Sequence, residues 1–433
     1  MRSTPSSTAV PVNSAATVLF ASLVGTTIEF FDFYIFATAS VLVFPKLFFP
    51  SADPTVEILK SLLTFALAFF ARPIGSAVFG HFGDRVGRKA TLVAALLTMG
   101  LSTVCIGLLP VYESIGVAAP MLLALCRFGQ GLGLGGEWGG AVLLATENAP
   151  EGRRAWYGMF PQLGAPLGFL MSSGIFLLLG QTLTAEQFLA FGWRIPFLAS
   201  ALLVFMGMYV RLRLHETPSF AKALQKNERV AVPFMHVLTR YPLVLLQGTV
   251  AAIATFVVFY LMTVFALSWG TSSLHYAKAD FLVWQMVSML PFAIGVPLSA
   301  LVADKIGRRT MLMLASAAIL AFGLGWESLF MASNPSGTVL FLCIGMFLMG
   351  LTYGPLGTAL SELFPTAVRY TGASLTFNLA GIFGASLAPF IATTLARDHG
   401  LAYVGYYMSA AAVLSLVALL SIGKRADASF SAD

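Results

Sequence analysis

A chain of 433 residues, of which 58% are hydrophobic and only 10% charged, cannot cover itself with polar side chains in water. Its mean hydropathy is +0.85, and its length allows about twelve membrane crossings of roughly 20 residues each. The net charge of +6 does not indicate nucleic-acid binding, because the basic residues fall in short loops between apolar segments, where they set membrane orientation.

The sequence predicts twelve apolar spans in an all-α membrane protein. Residues 1–16, rich in Ser, Thr and Pro, predict a disordered tail before the first span. The spans run approximately over Val18 to Phe44, Ile58 to His81, Ala90 to Leu109, Pro120 to Thr146, Trp156 to Leu179, Trp193 to Val210, Leu243 to Trp269, Phe281 to Val302, Met311 to Phe330, Thr338 to Leu360, Tyr370 to Ala396, and Ala402 to Ile422.

A single long polar stretch divides the spans into two sets of six. We therefore expect an N-terminal six-helix bundle over residues 17–212, a central loop over 213–242, a C-terminal bundle over 243–423 and a tail over 424–433. If the amino terminus is cytoplasmic, eighteen Lys and Arg residues lie in the inside loops and tails, against five outside. This bias predicts that both termini, the central loop and the tails are cytoplasmic.

The two halves carry a parallel repeat. DRVGRK at Asp84 to Lys89 recurs as DKIGRR at Asp304 to Arg309, at the end of the equivalent helix. ENAPEGRR at Glu147 to Arg154 recurs as ELFPTAVR at Glu362 to Arg369, with Glu, Pro and the final Arg at identical spacing. Such repeats predict two pseudo-symmetric bundles around a site near the middle of the membrane.

These motifs also resemble those of a known family. GHFGDRVGRK at Gly80 to Lys89 resembles the signature loop of the major facilitator superfamily, and RFGQGLGLGGEWGGA at Arg127 to Ala141, TIEFFDFYIF at Thr27 to Phe36 and ARP at Ala71 to Pro73 resemble its metabolite:proton symporter branch. The resemblance implies the major facilitator fold. It also implies a secondary active transporter that uses the proton gradient to import a small metabolite, an organic acid for example, by alternating access.

Five charged residues lie inside predicted spans, where an unpaired charge is costly and usually functional: Glu29, Asp32, Arg72, Arg127 and Glu137. Their depths allow pairs such as Asp32 with Arg127, and Arg72 with Glu29 or Glu137. Three acids then face two bases, so one acid is a candidate for proton binding. The alternative is a fixed ion-pair cluster that only assembles the N-terminal bundle.

Neutral polar residues complete the predicted substrate site. Gln130 and Trp138 adjoin the charged residues of the fourth span, and Tyr260, Tyr353 and Asn378 lie in the second half. Hydrogen bonding between helices is the alternative interpretation for each of them. The glycines at 131, 135 and 139 recur every four residues, which favours close helix packing.

At the predicted cytoplasmic ends, Asp84 should lie near the start of the eleventh span and Asp304 near the start of the fifth, where helix amino termini attract anions. The resemblance implies that these acids form an ion-pair network that closes the cytoplasmic side, together with Arg85, Arg88, Glu147, Arg154, Arg308, Glu362 and Arg369. The alternative is that the basic residues only set topology.

The sequence favours no enzyme, metal or cofactor, because its five histidines lie in loops or at span ends without metal-binding spacing. The expected partners are a small metabolite, protons and the lipid of a cell inner membrane, with no nucleic acid, and the expected unit is a monomer. The alternative transport function is a proton-coupled antiporter that exports a metabolite or drug, since GAPLG at Gly164 to Gly168 partly matches a drug-antiporter motif.

Overall fold

The structure is a computed structural model that describes residues 14–213 and 233–422, apart from the side chains of residues 54, 55, 84 and 88. Its regular elements in these ranges are helical, and twelve long helices follow one another in chain order. They are α1 (Ala15–Leu42), α2 (Pro54–Arg85), α3 (Arg88–Leu108), α4 (Ala118–Glu147), α5 (Arg154–Thr182), α6 (Arg194–Leu212), α7 (Pro242–Ser272), α8 (Lys278–Ile306), α9 (Arg308–Gly323), α10 (Pro335–Glu362), α11 (Thr366–His399) and α12 (Leu401–Ile422).

Ten of these helices are long and apolar enough to span a membrane. The other two are α4 and α9. Glycines and charged residues lower the mean hydropathy of α4, and α9 is short, with 16 residues. Each of the twelve corresponds to a predicted span, so the predicted twelve-helix fold is confirmed.

The ninth span is the least accurate prediction, because it was expected to reach Phe330. The helix ends at Gly323, and the following residues form turns. Trp326 and Phe330 are nevertheless buried, since both stack on Phe341 of α10 with ring centroids 4.6 and 4.9 Å apart. The apolar sequence here reflects a packed loop and not a longer helix.

Equivalent helices make equivalent contacts in the two halves. In the first half, α2 and α3 pack on α4, α1 packs on α5, and α3 packs on α6. In the second half, α8 and α9 pack on α10, α7 packs on α11, and α9 packs on α12. This correspondence agrees with the parallel sequence repeat and gives two related six-helix bundles.

Three of the long helices are interrupted near the middle of the molecule. Helix α5 breaks at Leu163, between Pro161 and Pro166, since a proline inside a helix removes a backbone hydrogen bond and bends it. Helices α7 and α11 contain π-helical turns at Leu261–Phe265 and Ile382–Ser386. These irregular turns lie where the two bundles face each other.

A short helix at Pro233–Arg240 lies within the predicted central loop. Its Val237 packs in a small apolar cluster with Leu245, Phe364, Val368 and Leu375, at the predicted cytoplasmic end of the C-terminal bundle. The rest of the predicted loop, at residues 214–232, and nearly all of both predicted tails lie outside the described residues.

Candidate functional site

The two bundles enclose a small central cavity near the middle of the molecule. Six of the ten predicted substrate and proton residues line it: Glu29, Arg72, Trp138, Tyr260, Tyr353 and Asn378. Its volume of about 20 Å³ is close to the space that one water molecule occupies. The residues that line it are buried, so the molecule is closed around this cavity.

Arg72 lines the cavity without a carboxylate partner. Its guanidinium lies over the rings of Phe33 and Phe69, 4.6 and 4.8 Å from their centroids. No acid of the described residues reaches it within ion-pair distance, and its Nε has no hydrogen-bond partner among them. Aromatic contacts thus hold a buried cation at the cavity wall while part of its hydrogen-bonding capacity stays unused.

Glu29 is the acid of the central cavity. It is buried, and its Oε2 accepts no hydrogen bond from the described residues. Arg72, Arg211 and Glu137 act on it electrostatically from three neighbouring helices. The expected pair between Arg72 and Glu29 is therefore an attraction across the cavity and not a closed ion pair.

Glu137 pairs with Arg211 instead of Arg72, which corrects the expected pairing. The Arg211 guanidinium contacts a carboxylate oxygen of Glu137, and both side chains are buried. Arg211 also donates to the carbonyl of Leu92 on α3 at 2.7 Å, and Gly25 on α1 leaves room for its guanidinium. The predicted sixth span ended at Val210, but Arg211 lies in the last turn of α6 and points inward, so three buried acids in fact face three buried bases.

Asp32 lies behind the cavity wall, inside the N-terminal bundle. Its side chain is 0% exposed, and neither carboxylate oxygen has a partner of good hydrogen-bond geometry among the described residues. Its polar neighbours are the hydroxyls of Thr103 on α3 and Ser200 on α6. Asp32 is therefore a buried acid without a basic partner.

Arg127 does not pair with Asp32, contrary to the expectation. Its Nη1 donates to Gln130 Oε1 at 2.9 Å and its Nε to the carbonyl of Phe65 at 3.3 Å. Its guanidinium also lies 4.0 Å from the ring centroid of Phe36. Like Glu137, both Arg127 and Gln130 belong to the interior of the N-terminal bundle and do not line the central cavity.

Trp138 links the two bundles through a stack and a hydrogen-bond relay. Its indole lies parallel to Phe377 of α11, with centroids 3.6 Å apart and 9° between the planes. Its Nε1 donates to Gln162 Oε1 at 3.0 Å, and Gln162 Nε2 donates to the Tyr353 carbonyl at 3.2 Å. Gln162 and Phe377 were not among the predicted site residues, although a glutamine inside an apolar span is a signal that could have indicated the first.

Asn378 makes the second polar link between the bundles. Its Nδ2 donates to Ser76 Oγ at 2.6 Å and lies 3.2 Å from the Gly135 carbonyl. A hydroxyl on the same helix also crosses to the N-terminal bundle, because Tyr370 donates to the Gly136 carbonyl. These contacts favour the helix-to-helix role for Asn378, while its side chain still borders the cavity.

The glycine stripe of α4 serves two different contacts. Added Cβ atoms at Gly131 and Gly135 would overlap the backbone of α2 in the same bundle. An added Cβ at Gly139 would overlap Ser374 Oγ of α11, in the other bundle. The packing interpretation is therefore correct within the bundle for two of the glycines, and the third marks an interface between bundles.

The predicted cytoplasmic gate is partly assembled. Asp304 accepts hydrogen bonds from the backbone N–H groups of Ala155 and Trp156, each at 3.0 Å, which confirms its expected place at the start of α5. Arg308 lies 3.2 Å from Glu362 and 3.7 Å from Asp304. Four of the predicted residues border a polar cavity of about 60 Å³: Glu147, Arg154, Glu362 and Arg369.

The equivalent contact in the first half is described only in part. The side chains of Asp84 and Arg88 lie outside the described residues. The backbone places Gly83 against the ring of Tyr370 at the start of α11, as the sequence predicts for this helix end. Arg85 is exposed and lies 3.2 Å from His81 on its own helix, so it does not take part in the contact between bundles.

Two related six-helix bundles with a closed polar cavity between them define a multi-pass membrane transporter. The family model of the Major Facilitator Superfamily matches residues 22–389, and the chain belongs to this superfamily. Its members are transporters, and this chain is not an enzyme.

Relatives with assigned names are similar over nearly the whole chain. The Inner membrane metabolite transport protein YhjE of Escherichia coli K12 is 55% identical, covering 95% of this chain and 94% of the relative. The Shikimate transporter of the same organism is 32% identical over 90% of each chain. A solved structure of the proton:xylose symporter XylE has a TM-score of 0.74 at 16% identity, covering 94% of each chain, and supports the fold alone.

Proposed function

We propose that this chain is a symporter that uses the proton gradient to import a small organic acid by alternating access. The relatives named for metabolite and shikimate transport support this assignment. In this proposal Arg72 binds the substrate carboxylate, and Glu29 binds the proton.

One observation carries the proposal: Arg72 and Glu29 line the same closed cavity, and neither is in a closed ion pair with any described residue. A substrate carboxylate supplies the bidentate partner that the Arg72 guanidinium lacks. The surrounding rings exclude water, which strengthens that contact.

The geometry also gives a reason for coupling. An ionised Glu29 competes with a substrate carboxylate for the positive charge of Arg72, whereas a protonated Glu29 does not. Each ligand therefore favours binding of the other, because their coupling free energy is reciprocal. Asp32 is the second candidate for the proton, since it is buried without a base, although it does not border the cavity.

Alternating access needs contacts that exist in only one state. The candidates are the Asp304 contact with α5, the Arg308 pair with Glu362, and the links through Trp138 and Asn378. We propose that they open together when the bundles rock, and that Glu147, Arg154 and Arg369 take part on the cytoplasmic side, as do Asp84 and Arg88.

We also propose that the chain resides in an inner membrane as a monomer, with both termini cytoplasmic. The proposed boundaries of the two bundles, the central loop and the tails are those that the sequence predicts. The name of the 55% identical relative supports the membrane, and the charge bias supports the orientation. Tags at residue 225 and after Lys424 should report the cytoplasm, and a tag near Ser272 the opposite side.

The test of substrate class is a thermal-shift and uptake screen over organic acids, betaines and shikimate-like compounds with the full chain. Arg72→Gln should strongly weaken stabilisation by carboxylates without removing it, and Arg72→Lys should restore part of it, because Lys keeps the charge but not the bidentate geometry. Carboxylate binding that is unchanged in folded Arg72→Gln would contradict the assignment.

Antiport remains the alternative and can be separated by the direction of flow. In proteoliposomes with an imposed proton gradient, a symporter accumulates substrate with inward proton flow, whereas an antiporter expels it. The GAPLG segment does not favour antiport here, because Gly164 and Gly168 allow α5 to pack closely on Thr26 and Phe31 of α1.

A further inference from the structure

A second closed cavity lies beyond Tyr34, on the side of the central cavity away from the predicted cytoplasmic gate. We call it the outer cavity; it is formed by α1, α5, α7 and α8, and its polar lining includes Thr38, Thr263 and Gln285. Tyr34, Phe259 and Tyr260 border both cavities and separate them. The outer cavity measures about 20 Å³, enough for one water-sized group.

Gln285 of α8 is fixed by the irregular turn of α7. A π-helical turn displaces carbonyl groups from the regular helix ladder, and they need donors elsewhere. Gln285 Nε2 donates to the carbonyls of Met262 at 3.0 Å and Thr263 at 2.7 Å, both within this turn. The side chain therefore holds the turn in place.

This contact also determines which way the Gln285 amide points. Its two neighbours are both carbonyl acceptors, so the NH₂ group must face them and Oε1 must point elsewhere. Oε1 has no hydrogen-bond partner among the described residues, although Gln285 is only 1% exposed. A buried acceptor without a donor is costly, which favours a function for it.

The chemistry of the outer cavity restricts what can satisfy this acceptor. No charged side chain lines it, so an ionised carboxylate or ammonium would be desolvated there without a counter-ion. Thr263 cannot be the donor while its hydroxyl donates to the Phe259 carbonyl at 2.8 Å. The complementary group is an uncharged O–H or N–H donor.

We propose that the outer cavity is a second substrate subsite, which binds an uncharged hydroxyl or amide group of the transported solute through Gln285 Oε1. This inference rests on the proposed function, because the carboxylate of the same solute lies at Arg72. The transporter thereby distinguishes hydroxylated carboxylates from unsubstituted ones. The rings of Tyr34 and Phe259, stacked at 5.7 Å, lie between the two subsites and move when a solute spans them.

The test compares monocarboxylates that differ by one hydroxyl at the end of the chain away from the carboxylate: 4-hydroxybutyrate against butyrate, and 6-hydroxyhexanoate against hexanoate. Thermal-shift titrations of the purified full chain should show roughly tenfold tighter binding of the hydroxylated member in at least one pair, since a hydrogen bond that satisfies a buried acceptor is worth about that factor. Gln285→Met, which keeps the volume, should remove this preference. Arg72→Gln should weaken both members of the pair equally and preserve their ratio.

A ligand without the O–H donor keeps the question answerable if the Met variant does not fold. In the native chain, 4-methoxybutyrate keeps the oxygen but cannot donate a hydrogen bond to Gln285 Oε1, so it should bind about as weakly as butyrate. Binding as tight as that of 4-hydroxybutyrate would overturn the subsite. A hydroxyl preference that persists in a folded Gln285 variant, or that is missing in the native chain, overturns the subsite. Unchanged binding in Arg72→Gln counts against the proposed function alone, and failure of every carboxylate to bind overturns both.

Discussion

The two bundles share a fold but differ in what they bury. The N-terminal bundle buries six charged side chains: Glu29, Asp32, Arg72, Arg127, Glu137 and Arg211. Among the described residues of the C-terminal bundle, the buried charges are Glu362 and Arg369, both at the predicted cytoplasmic end. A pseudo-symmetric scaffold can therefore assign charge chemistry to one half and neutral contacts to the other.

The difference extends to how each bundle meets the cavity. The N-terminal bundle contributes Glu29 and Arg72, whereas the C-terminal bundle contributes Tyr260, Tyr353, Phe377 and similar neutral groups. Moving an unpaired charge between bundles would alter stability as well as function, because each buried charge needs its own partners. In the proposed rocking of the bundles, a neutral surface therefore moves past a charged one.

The largest effect should come from the buried pair of the charged bundle. Arg211→Gln leaves Glu137 buried without its cation, and the free energy of unfolding should fall by about 3–5 kcal/mol. Thermal melting of the purified variant in detergent measures this loss. Arg213→Gln is the matched control, because Arg213 is exposed and lies over the Tyr209 ring, so its loss should change stability little.

A second variant separates charge pairing from simple fragility. Replacing both partners, Arg211→Met with Glu137→Met, removes the desolvation cost together with the attraction and should recover much of the stability. If the single Arg211→Gln variant melted like the native chain, the charged bundle would not depend on this pair, and the contrast between bundles would weaken.

The next effect tests the interface between the bundles. Gly139→Ala should clash with Ser374 only when the bundles are closed, and the closed state should lose about 1–3 kcal/mol. Accessibility of a cysteine at Ser361, which lines the polar gate cavity, should increase in a background free of native cysteines. Ser374→Ala in the same chain should reverse part of the change by removing the clashing oxygen.

Two other glycines provide the controls for Gly139→Ala. In Gly135→Ala the added methyl group would overlap the backbone of Arg72 within the same bundle. This variant should therefore lower the free energy of unfolding without selectively raising the accessibility of the cysteine at position 361. Gly180→Ala meets no atom within 4 Å and should be neutral. Equal behaviour of all three would show that α4 has no special contact with the second bundle.

The smallest effect should come from the gate. Asp304→Asn keeps a side-chain acceptor for the start of α5 but removes the charge, which costs about 0.3–1 kcal/mol at a helix amino terminus. The population should shift toward inward-facing states by roughly two- to fivefold, measured with the same cysteine at Ser361. The sequence predicts the same direction for Asp84→Asn. Unchanged accessibility in both variants would argue that the gate does not depend on these acids.

The sequence predicted the fold, because hydropathy and the repeat act over long segments, and it predicted six of the residues that line the central cavity. Its six correct cavity residues share one property: each is a polar or aromatic group well inside a span. The pairing of the charged residues inside the N-terminal bundle could not be predicted, because it depends on which faces of neighbouring helices meet. Arg211 illustrates the difficulty: it ends an apolar run like a loop residue, yet the helix continues to Leu212 and turns the guanidinium inward.

Arg127 and Asp32 show a second limit of the sequence. Their depths were compatible with a pair, but Phe33, Phe36 and Phe65 surround the guanidinium, and Gln130 takes one of its hydrogen bonds. The sequence gives the depth of each residue along its helix, but whether two side chains touch also depends on how each helix is rotated about its axis. Gly139 was likewise part of a visible stripe, but the sequence could not tell which bundle it faces.

The central claim is that Glu29 carries the proton while Arg72 holds the carboxylate, and one variant tests it most directly. Glu29→Gln should fold, retain substrate counterflow in proteoliposomes and lose uphill accumulation driven by a pH gradient, because the site still binds substrate but no longer exchanges a proton. The exposed Glu113→Gln is the matched charge control and should accumulate substrate normally. A well-folded Glu29→Gln protein that still accumulated substrate against its gradient would contradict the account and move the proton to another residue, with Asp32 the next to examine.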